Sequence, residues 1–332
     1  MSDKDLGVVA IGNALVDVLS HASEDFIEEQ AKEHGMERGA MTLIERLRAV
    51  ELYALMGQGT EVSGGSAANT MAAYASFGGQ GGFIGKVADD QLGEIFRHDM
   101  KASGIEFETP ALVAGEPTGR CLILVSEDGT RTMNTFLGAA VELGEHDIDE
   151  DIIKRAQVLY LEGYLFDRAQ AKAAFRKAAK IAKDNGTKVA LTLSDPFCVD
   201  RHKEDFMDLV DNHVDILFAN EAEIKALYDV FEWDQVPAIV QQKNLVAALT
   251  RGEKGSTIMT EEEIYDIEGI STSVKDTTGA GDAYAAGFLY GYTENMGLYE
   301  CGELATKAAT EVIQIMGPRT DKKLSDLISK AA

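Results

Sequence analysis

The chain has 332 residues, of which 45% are hydrophobic and 26% are charged, and this composition predicts one large folded domain or two smaller ones. Its 56 acidic and 31 basic residues give a formal charge of −25, which would repel nucleic-acid phosphates and anionic membrane surfaces. We therefore expect no nucleic-acid partner and no membrane attachment.

The cysteines and the N-terminal residues indicate the compartment. Cys121, Cys198 and Cys301 are far apart and form no CxxC pattern, so neither a disulfide framework nor a zinc site is expected. The N-terminal residues contain no basic segment followed by an apolar one, and the chain has no apolar run long enough to span a membrane. The sequence therefore predicts a protein of the reducing cytoplasm.

Short β-branched runs alternate with helical patterns along most of the chain. Alternation of this kind predicts a doubly wound, mostly parallel sheet with helices on both faces and ligands at the carboxyl ends of its strands. The predicted strands are 8–11, 158–161, 189–193, 216–218 and 246–249, and the predicted helices are 67–77, 91–102, 168–185, 221–230 and 282–292.

Two stretches, 14–60 and 107–140, interrupt this alternation. Within the second, 120–136 is typical of a β-hairpin. We expect both stretches to form a small β-rich lid over the site, which would exclude water during a transfer reaction. The alternative is a surface decoration without a function. With 14–60 and 107–140 as the lid, the large Rossmann-like domain would consist of residues 1–13, 61–106 and 141–332.

Asp17 is the first candidate site residue along the chain. It follows the first predicted strand at the expected ligand end of the sheet, where a carboxylate can accept hydrogen bonds from two hydroxyl groups of a diol. The alternative is an aspartate in a solvated turn.

A glycine pair, Gly64 and Gly65, precedes the predicted helix 67–77. Glycines allow a backbone to approach a ligand closely, and Ser66 is a candidate N-cap for the helix. Asn69 offers both a carbonyl and an amide group for recognising vicinal hydroxyls. Because a turn followed by a helix is common in α/β proteins, a purely structural role is the alternative.

Asn220 and Glu223 lie one turn apart after the predicted strand 216–218. This spacing is that of a capping box, and it would equally suit a hydrated Mg²⁺. The later segment 250–256 contains Lys-Gly-Ser, but it lacks the order of a phosphate-binding loop, and residues from Ser256 onward are typical of a strand.

Residues 275–287 carry the strongest signal in the chain. Gly279 and Gly281 permit a tight turn that would direct the free N–H groups of the following helix, including that of Ala280, at an anion. Asp282 places a carboxylate in the same position. A carboxylate beside an anion site suits a base that deprotonates a hydroxyl during phosphoryl transfer. The alternative is that Asp282 only caps the helix.

The runs 63–93 and 275–287 resemble the two signatures of the phosphofructokinase-B (ribokinase-like) carbohydrate kinases, in the correct order, and the resemblance extends over nearly the whole chain. It implies a ribokinase-like fold, ATP and Mg²⁺ as cofactors, Asp282 as the base, and an anion hole at 278–281. It further implies two sets of binding residues and a metal residue, Glu223 at Mg²⁺. The residues at the sugar would be Asn13, Asp17, Gly64, Gly65, Ser66 and Asn69, and those near the nucleotide would be Asn220, Thr250, Arg251, Gly252, Asp276 and Thr278. A monovalent cation such as K⁺ is an alternative neighbour of Asp276.

Within that family the chain is most similar to the adenosine kinase branch, which implies transfer of phosphate from ATP to the 5′-hydroxyl of adenosine, giving AMP for purine salvage. That branch usually stacks the purine on an aromatic residue where this chain has Leu165, flanked by Tyr164 and Phe166, so loss or displacement of the stacking would weaken a preference for nucleosides. Phe136 of the hairpin would supply the ring instead, and the alternative is that Phe136 belongs to the lid core. The alternatives are a free-sugar kinase of the ribokinase, fructokinase or keto-deoxy sugar type, and a non-catalytic nucleoside or sugar sensor. Both a monomer and a homodimer fit the sequence.

Overall fold

The computed structural model describes residues 4–330. The strands are short, and those at the centre of the molecule consist mainly of buried Val, Ile, Leu and Ala. In chain order they are β1 Leu6–Ile11, β2 Leu15–His21, β3 Met41–Leu43, β4 Gly59–Gly64, β5 Gly81–Ile84, β6 Ile105–Glu106, β7 Thr118–Val125, β8 Arg131–Gly138, β9 Ala156–Glu162, β10 Lys188–Thr192, β11 Ile216–Asn220, β12 Val246–Thr250, β13 Ser256–Met259 and β14 Ile264–Ile267.

Several helices are preceded by an N-cap residue whose side chain accepts a hydrogen bond from a backbone N–H group of the first turn, which has no partner within the helix. Asp90 accepts from the amide of Gly93, and Asp195 accepts from the amides of Phe197 and Cys198. The α-helices are α1 Glu24–His34, α2 Arg46–Leu55, α3 Ser66–Ser76, α4 Gln91–Ala102, α5 Glu150–Arg155, α6 Ala169–Asp184, α7 Pro196–Asn212, α8 Glu221–Tyr228, α9 Val236–Val240, α10 Ala280–Thr293 and α11 Leu298–Val312.

The large sheet has nine strands in the order β14-β13-β12-β11-β10-β9-β1-β5-β6. Strands β12 to β6 in this order are parallel, and β13 and β14 are antiparallel at one edge. Side chains alternate between the two faces, so that Val9 and Ile11 pack against α5 to α9, whereas Val8 and Ala10 pack against α3, α4, α10 and α11. The predicted doubly wound, mostly parallel sheet is confirmed.

A second sheet of five strands, in the order β3-β8-β7-β2-β4, lies beside the first. Strands β7 and β8 form an antiparallel hairpin, as predicted for 120–136. Strand β4 pairs with β2 along its whole length, so the expected boundary between residues 60 and 61 falls inside a strand of this sheet. We refer to this sheet with α1 and α2 as the lid.

The alternative interpretation of Asp17 as an aspartate in a solvated turn is wrong, because Asp17 is the third residue of β2 and pairs with Val62 and Cys121 in the lid. The predicted N-cap of the next helix is also wrong. Helix α3 begins at Ser66 itself, and Gly65 takes the N-cap position with a φ of 97°, a conformation that favours glycine. None of the helices between residues 4 and 330 is long and apolar enough to cross a membrane.

Candidate active site

A cavity of about 1030 Å³ lies between the lid and the carboxyl ends of the parallel strands. This is the end of an open α/β sheet at which ligands bind. The cavity collects residues from both sheets, from helices α3, α7, α8 and α10, and from the segment after α11. The predicted site residues that line it are Asn13, Asp17, Gly65, Ser66, Asn69, Tyr164, Asn220, Glu223, Thr250, Thr278, Gly279, Gly281 and Asp282.

Asp282 lies in the first turn of α10, and two side chains of α3 hold its carboxylate. Ser66 Oγ donates to Asp282 Oδ1 at 2.6 Å, and Asn69 Nδ2 donates to Oδ2 at 3.2 Å. Burial raises the pKa of Asp282 to about 6, although these two hydrogen bonds and Arg319 oppose the rise. Ser66 therefore orients the candidate base and does not act as the predicted N-cap.

The turn before α10 is tight and lines the cavity, and its binding of an anion stays a prediction. Gly279 has a φ of 78°, and a Cβ atom there would lie 2.6 Å from Pro318. Between residues 4 and 330, the amides of Gly279, Gly281 and Asp282 have no protein acceptor. The amide of Ala280 instead donates to the carbonyl of Thr277 at 3.2 Å, so Ala280 does not supply the free N–H group that we expected.

The glycine pair brings the backbone against the carboxylate of Asp17, the candidate sugar-binding residue. A Cβ atom on Gly64 would lie 2.3 Å from Asp17 Oδ1, and a Cβ atom on Gly65 would lie 2.3 Å from the backbone carbonyl oxygen of Asn13. Asp17 is only 8% exposed, and burial raises its pKa to about 6 against the opposing effect of Arg319 and Arg131. In the described part of the chain its carboxylate accepts no hydrogen bond, so both oxygens can accept from a ligand.

Glu162, at the end of β9, is a site residue that the sequence analysis missed. One carboxylate oxygen accepts from Asn13 Nδ2 at 2.7 Å, and the other accepts from the amide of Ala67 at 2.8 Å. Because an ionised carboxylate only accepts, Asn13 must turn its amide group toward Glu162 and leave Oδ1 for the cavity. Asn13 Oδ1 is buried and has no hydrogen-bond partner. Burial raises the pKa of Glu162 to about 7.

Two arginines beside the site were also missed. Arg319, which follows Gly317 and Pro318, donates to Asn69 Oδ1 and to Ser63 Oγ, both at 2.9 Å. Arg131, at the start of β8, pairs with Asp276 at 3.2 Å. Both lie outside the segments 63–93 and 275–287, and no local pattern marks them.

The predicted metal residue Glu223 forms the capping box with Asn220. Its oxygens accept from the amide and from Nδ2 of Asn220 at 2.9 and 2.6 Å, and Asn220 Oδ1 accepts from the amide of Glu223. Burial, with a smaller contribution from the nearby Asp195, raises the pKa of Glu223 to about 7, although the hydrogen bond from the amide of Asn220 opposes the rise. No group of three or more potential metal-ligating side chains occurs among the described residues.

This donor set nevertheless suits a hydrated Mg²⁺. Glu223 and Asp195 both line the cavity, and the repulsion between their carboxylates would be relieved by a cation. Mg²⁺ prefers oxygen ligands and is commonly bound through one or two carboxylates, water and substrate phosphates.

Three of the predicted nucleotide residues lie outside the cavity lining. Arg251 pairs with Glu221 at 3.2 Å, and its guanidinium lies over the ring of Trp233 at 4.0 Å. Gly252 follows it in a short 3-10 turn. Asp276 accepts from the amides of Thr278 and Gly317, both at 2.9 Å, and pairs with Arg131 as described above. Asp276 thus fixes the anion turn, and a monovalent cation near it stays a prediction.

The proposed aromatic contacts of the substrate have to be reassigned. On β8, Met133, Thr135 and Leu137 line the cavity, so the alternation of a strand turns Phe136 to the other face, where it packs in the lid core. Leu165 is also buried in the core. Tyr164 does line the cavity, as does Phe197, whose ring is 73% exposed at the start of α7.

Comparison with known proteins identifies relatives over the whole length of the chain. A family model described as pfkB family carbohydrate kinase matches residues 9–324. An adenosine kinase from Sinorhizobium meliloti is similar, with 46% identity, a TM-score of 0.90, and coverage of 99% of this chain and 100% of that one. A probable sugar kinase from Rhizobium etli CFN 42 is 43% identical, with a TM-score of 0.90 and 99% of each chain covered. A 5-dehydro-2-deoxygluconokinase of Clostridium perfringens is 28% identical over 262 residues, which cover 75% of this chain and 78% of that protein.

Proposed function

The chain belongs to the pfkB family of carbohydrate kinases and is an ATP-dependent kinase, and from this premise we propose that it phosphorylates the 5′-hydroxyl of adenosine. Membership confirms the family and the ribokinase-like fold expected from the sequence, and it excludes the non-catalytic sensor. The acceptor is the finer part of the proposal, because the relatives' names include both a nucleoside kinase and sugar kinases.

One observation carries the mechanism: the partly buried carboxylate of Asp282 lies beside free backbone amides in a single cavity. Asp282 takes the proton of the acceptor hydroxyl as its oxygen attacks the terminal phosphorus of ATP. The new O–P bond forms as the bond to the β-phosphate oxygen breaks, which releases ADP. The amides of Gly279 and Gly281 then stabilise the negative charge on the transferring phosphoryl group.

Residues on the opposite side of the cavity hold the sugar. Asp17 accepts hydrogen bonds from vicinal hydroxyls, and the side-chain oxygen Oδ1 of Asn13 accepts a further one. Mg²⁺, held through Glu223, Asp195 and water, would neutralise charge on the ATP phosphates. Positioning of this kind accounts for most of the rate enhancement in phosphoryl transfer.

An apolar rim favours a nucleoside over a free sugar. Met41 and Leu43 of β3 are 45% and 53% exposed where they line the cavity, and Phe197 is more exposed still. Large exposed apolar side chains grouped around a cavity indicate a ligand surface that covers them. A purine base attached to the ribose would do so, and a free hexose is too small and too polar for this role.

The absence of an aromatic residue at Leu165 supports the second candidate, a free-sugar kinase. Both candidates can be tested by measuring ADP release from ATP with adenosine, guanosine, ribose, fructose and 5-dehydro-2-deoxygluconate. We expect kcat/KM to be highest with adenosine and at least roughly tenfold lower with ribose, since base stacking contributes about 1–3 kcal/mol. Higher kcat/KM for a free sugar would contradict the proposal and support the second candidate.

A further inference from the structure

Arg319 contacts Asn69, which in turn contacts the candidate base Asp282. It stands 37 positions beyond Asp282 in the chain. Its guanidinium reaches α3 and the end of β4, where Nε donates to Asn69 Oδ1 and Nη1 donates to Ser63 Oγ. Nη2 is buried and has no hydrogen-bond partner. Within residues 4–330, no carboxylate lies within ion-pair distance of this guanidinium. Among the described residues, a partly buried cation thus lies beside the site without a direct ion-pair partner.

The hydrogen bond from Arg319 determines which end of the Asn69 side chain meets the base. An arginine can only donate, so the carbonyl oxygen of Asn69 must face Arg319. The amide group of Asn69 is then directed at Asp282, to which it donates at 3.2 Å. Without Arg319, Asn69 could rotate and point its carbonyl oxygen at the carboxylate, which would repel it.

The charge of Arg319 acts on the same group. Arg319 opposes the effect of burial on the pKa of Asp282 and of Asp17, and it also faces Asp99. The other titratable side chains that interact with Asp282 are acidic or phenolic, so none of them offsets its negative charge. They are Asp17 of β2, Tyr160 and Glu162 of β9, and Tyr164 of the turn after β9.

We propose that Arg319 is a positioning residue for the phosphoryl transfer, which orients the amide of Asn69 against Asp282 and places positive charge beside the carboxylates of Asp17 and Asp282. This role rests on the proposed function, because it requires Asp282 to act as the base. It assigns a specific task to the segment after α11, which also supplies Gly317 to Asp276 and Pro318 to the anion turn.

The test is the pH dependence of kcat in two variants, measured by ADP release with saturating ATP, Mg²⁺ and adenosine, or with whichever acceptor the substrate panel identifies. Arg319→Gln removes the charge but keeps a donor for Asn69. We expect its acidic limb to move up by about one pH unit, because Asp282 then stays protonated to higher pH. Arg319→Lys keeps the charge, but its single ammonium group replaces the planar guanidinium that donates to Asn69 and Ser63 in a fixed geometry. We expect an unshifted limb and a kcat that is roughly tenfold lower.

Arg97 provides a matched control, because it is a partly buried arginine that donates to the carbonyls of Phe107 and Thr109, and none of these three residues lines the cavity. Arg97→Gln should lower the melting temperature and leave the acidic limb in place. If Arg319→Gln behaves in the same way, with a normal kcat, Arg319 is merely structural and the proposal fails. If Arg319→Gln does not fold, a normal kcat in Arg319→Lys overturns the proposal by itself.

The variant Asp282→Asn separates this proposal from the proposed function. If Asp282→Asn loses turnover while both Arg319 variants keep the wild-type profile, only the role of Arg319 is wrong. If Asp282→Asn keeps normal turnover, the assignment of the base is wrong, and the mechanism fails with it.

Discussion

At the scale of single residues, two carboxylates line the acceptor site, that of the buried Asp17 and that of the partly buried Asp282. Asp282 is held by Ser66 and Asn69, whereas Asp17 accepts no protein hydrogen bond in the described part of the chain. Burial raises the pKa of each to about 6. Each has to be ionised, since a base needs a free lone pair and a diol needs an acceptor. Activity should therefore depend on pH through both groups.

We predict that kcat/KM for the acceptor falls as the pH drops below about 6, because either carboxylate is inactivated by protonation. With two groups of similar pKa, the slope of log kcat/KM against pH should approach about 2 at the acidic end. Steady-state assays between about pH 5 and pH 8 measure this slope, and Asp17→Asn should reduce it to about 1. Activity that stays constant down to pH 5 would contradict the account.

The sequence predicted the candidate site residues that stand in local motifs, and it missed those that reach the site over long sequence distances. Asp282, Gly279 and the pair Gly64 and Gly65 stand in short motifs whose chemistry can be deduced from residue type. Glu162 and Arg319 reach Asn13 and Asn69 from positions 149 and 250 residues away. Only the packed fold brings such residues together, so no pattern within one segment could reveal them.

At the scale of secondary-structure elements, the strand period decides which lid residues can touch a ligand. The sequence predicted the β7–β8 hairpin, but it could not show which face of β8 is turned toward the cavity. A shift of one residue in register reverses the two faces of a strand, and for this reason the sequence left Phe136 open as either a ligand contact or part of the lid core. Phe197 was missed because an aromatic residue in the first turn of a helix carries no signal of its own.

The element-scale prediction compares these two phenylalanines. Phe197→Ala should raise KM for adenosine roughly tenfold or more, because base–aromatic stacking contributes about 1–3 kcal/mol, and should leave KM for ATP nearly unchanged. Phe136→Leu should lower the free energy of unfolding by about 1 kcal/mol and leave both KM values in place. Steady-state kinetics and thermal melting of both variants provide the measurement. An unchanged KM for adenosine in Phe197→Ala would remove Phe197 from the base site.

At the scale of the whole molecule, the active site is a junction between two sheets and a distant C-terminal segment. The large sheet contributes Glu162 and Asn220 at its strand ends, the lid contributes Asp17, and the segment after α11 contributes Arg319. The chain has a formal net charge of −25, which disfavours the binding of anionic ATP. The phosphates of ATP therefore depend on local amides and cations for binding. All of these parts converge on Asp282, whose role as the base is the central claim.

Turnover of Asp282→Asn tests that claim most directly. Asparagine keeps the shape of the side chain but cannot accept the proton of the acceptor hydroxyl, so we predict a fall in kcat of about 10²- to 10⁴-fold with an unchanged melting temperature. Asp266→Asn, an exposed carboxylate of β14, is the matched control and should keep its activity. A kcat for Asp282→Asn close to that of the wild type, in a folded protein, would contradict the account.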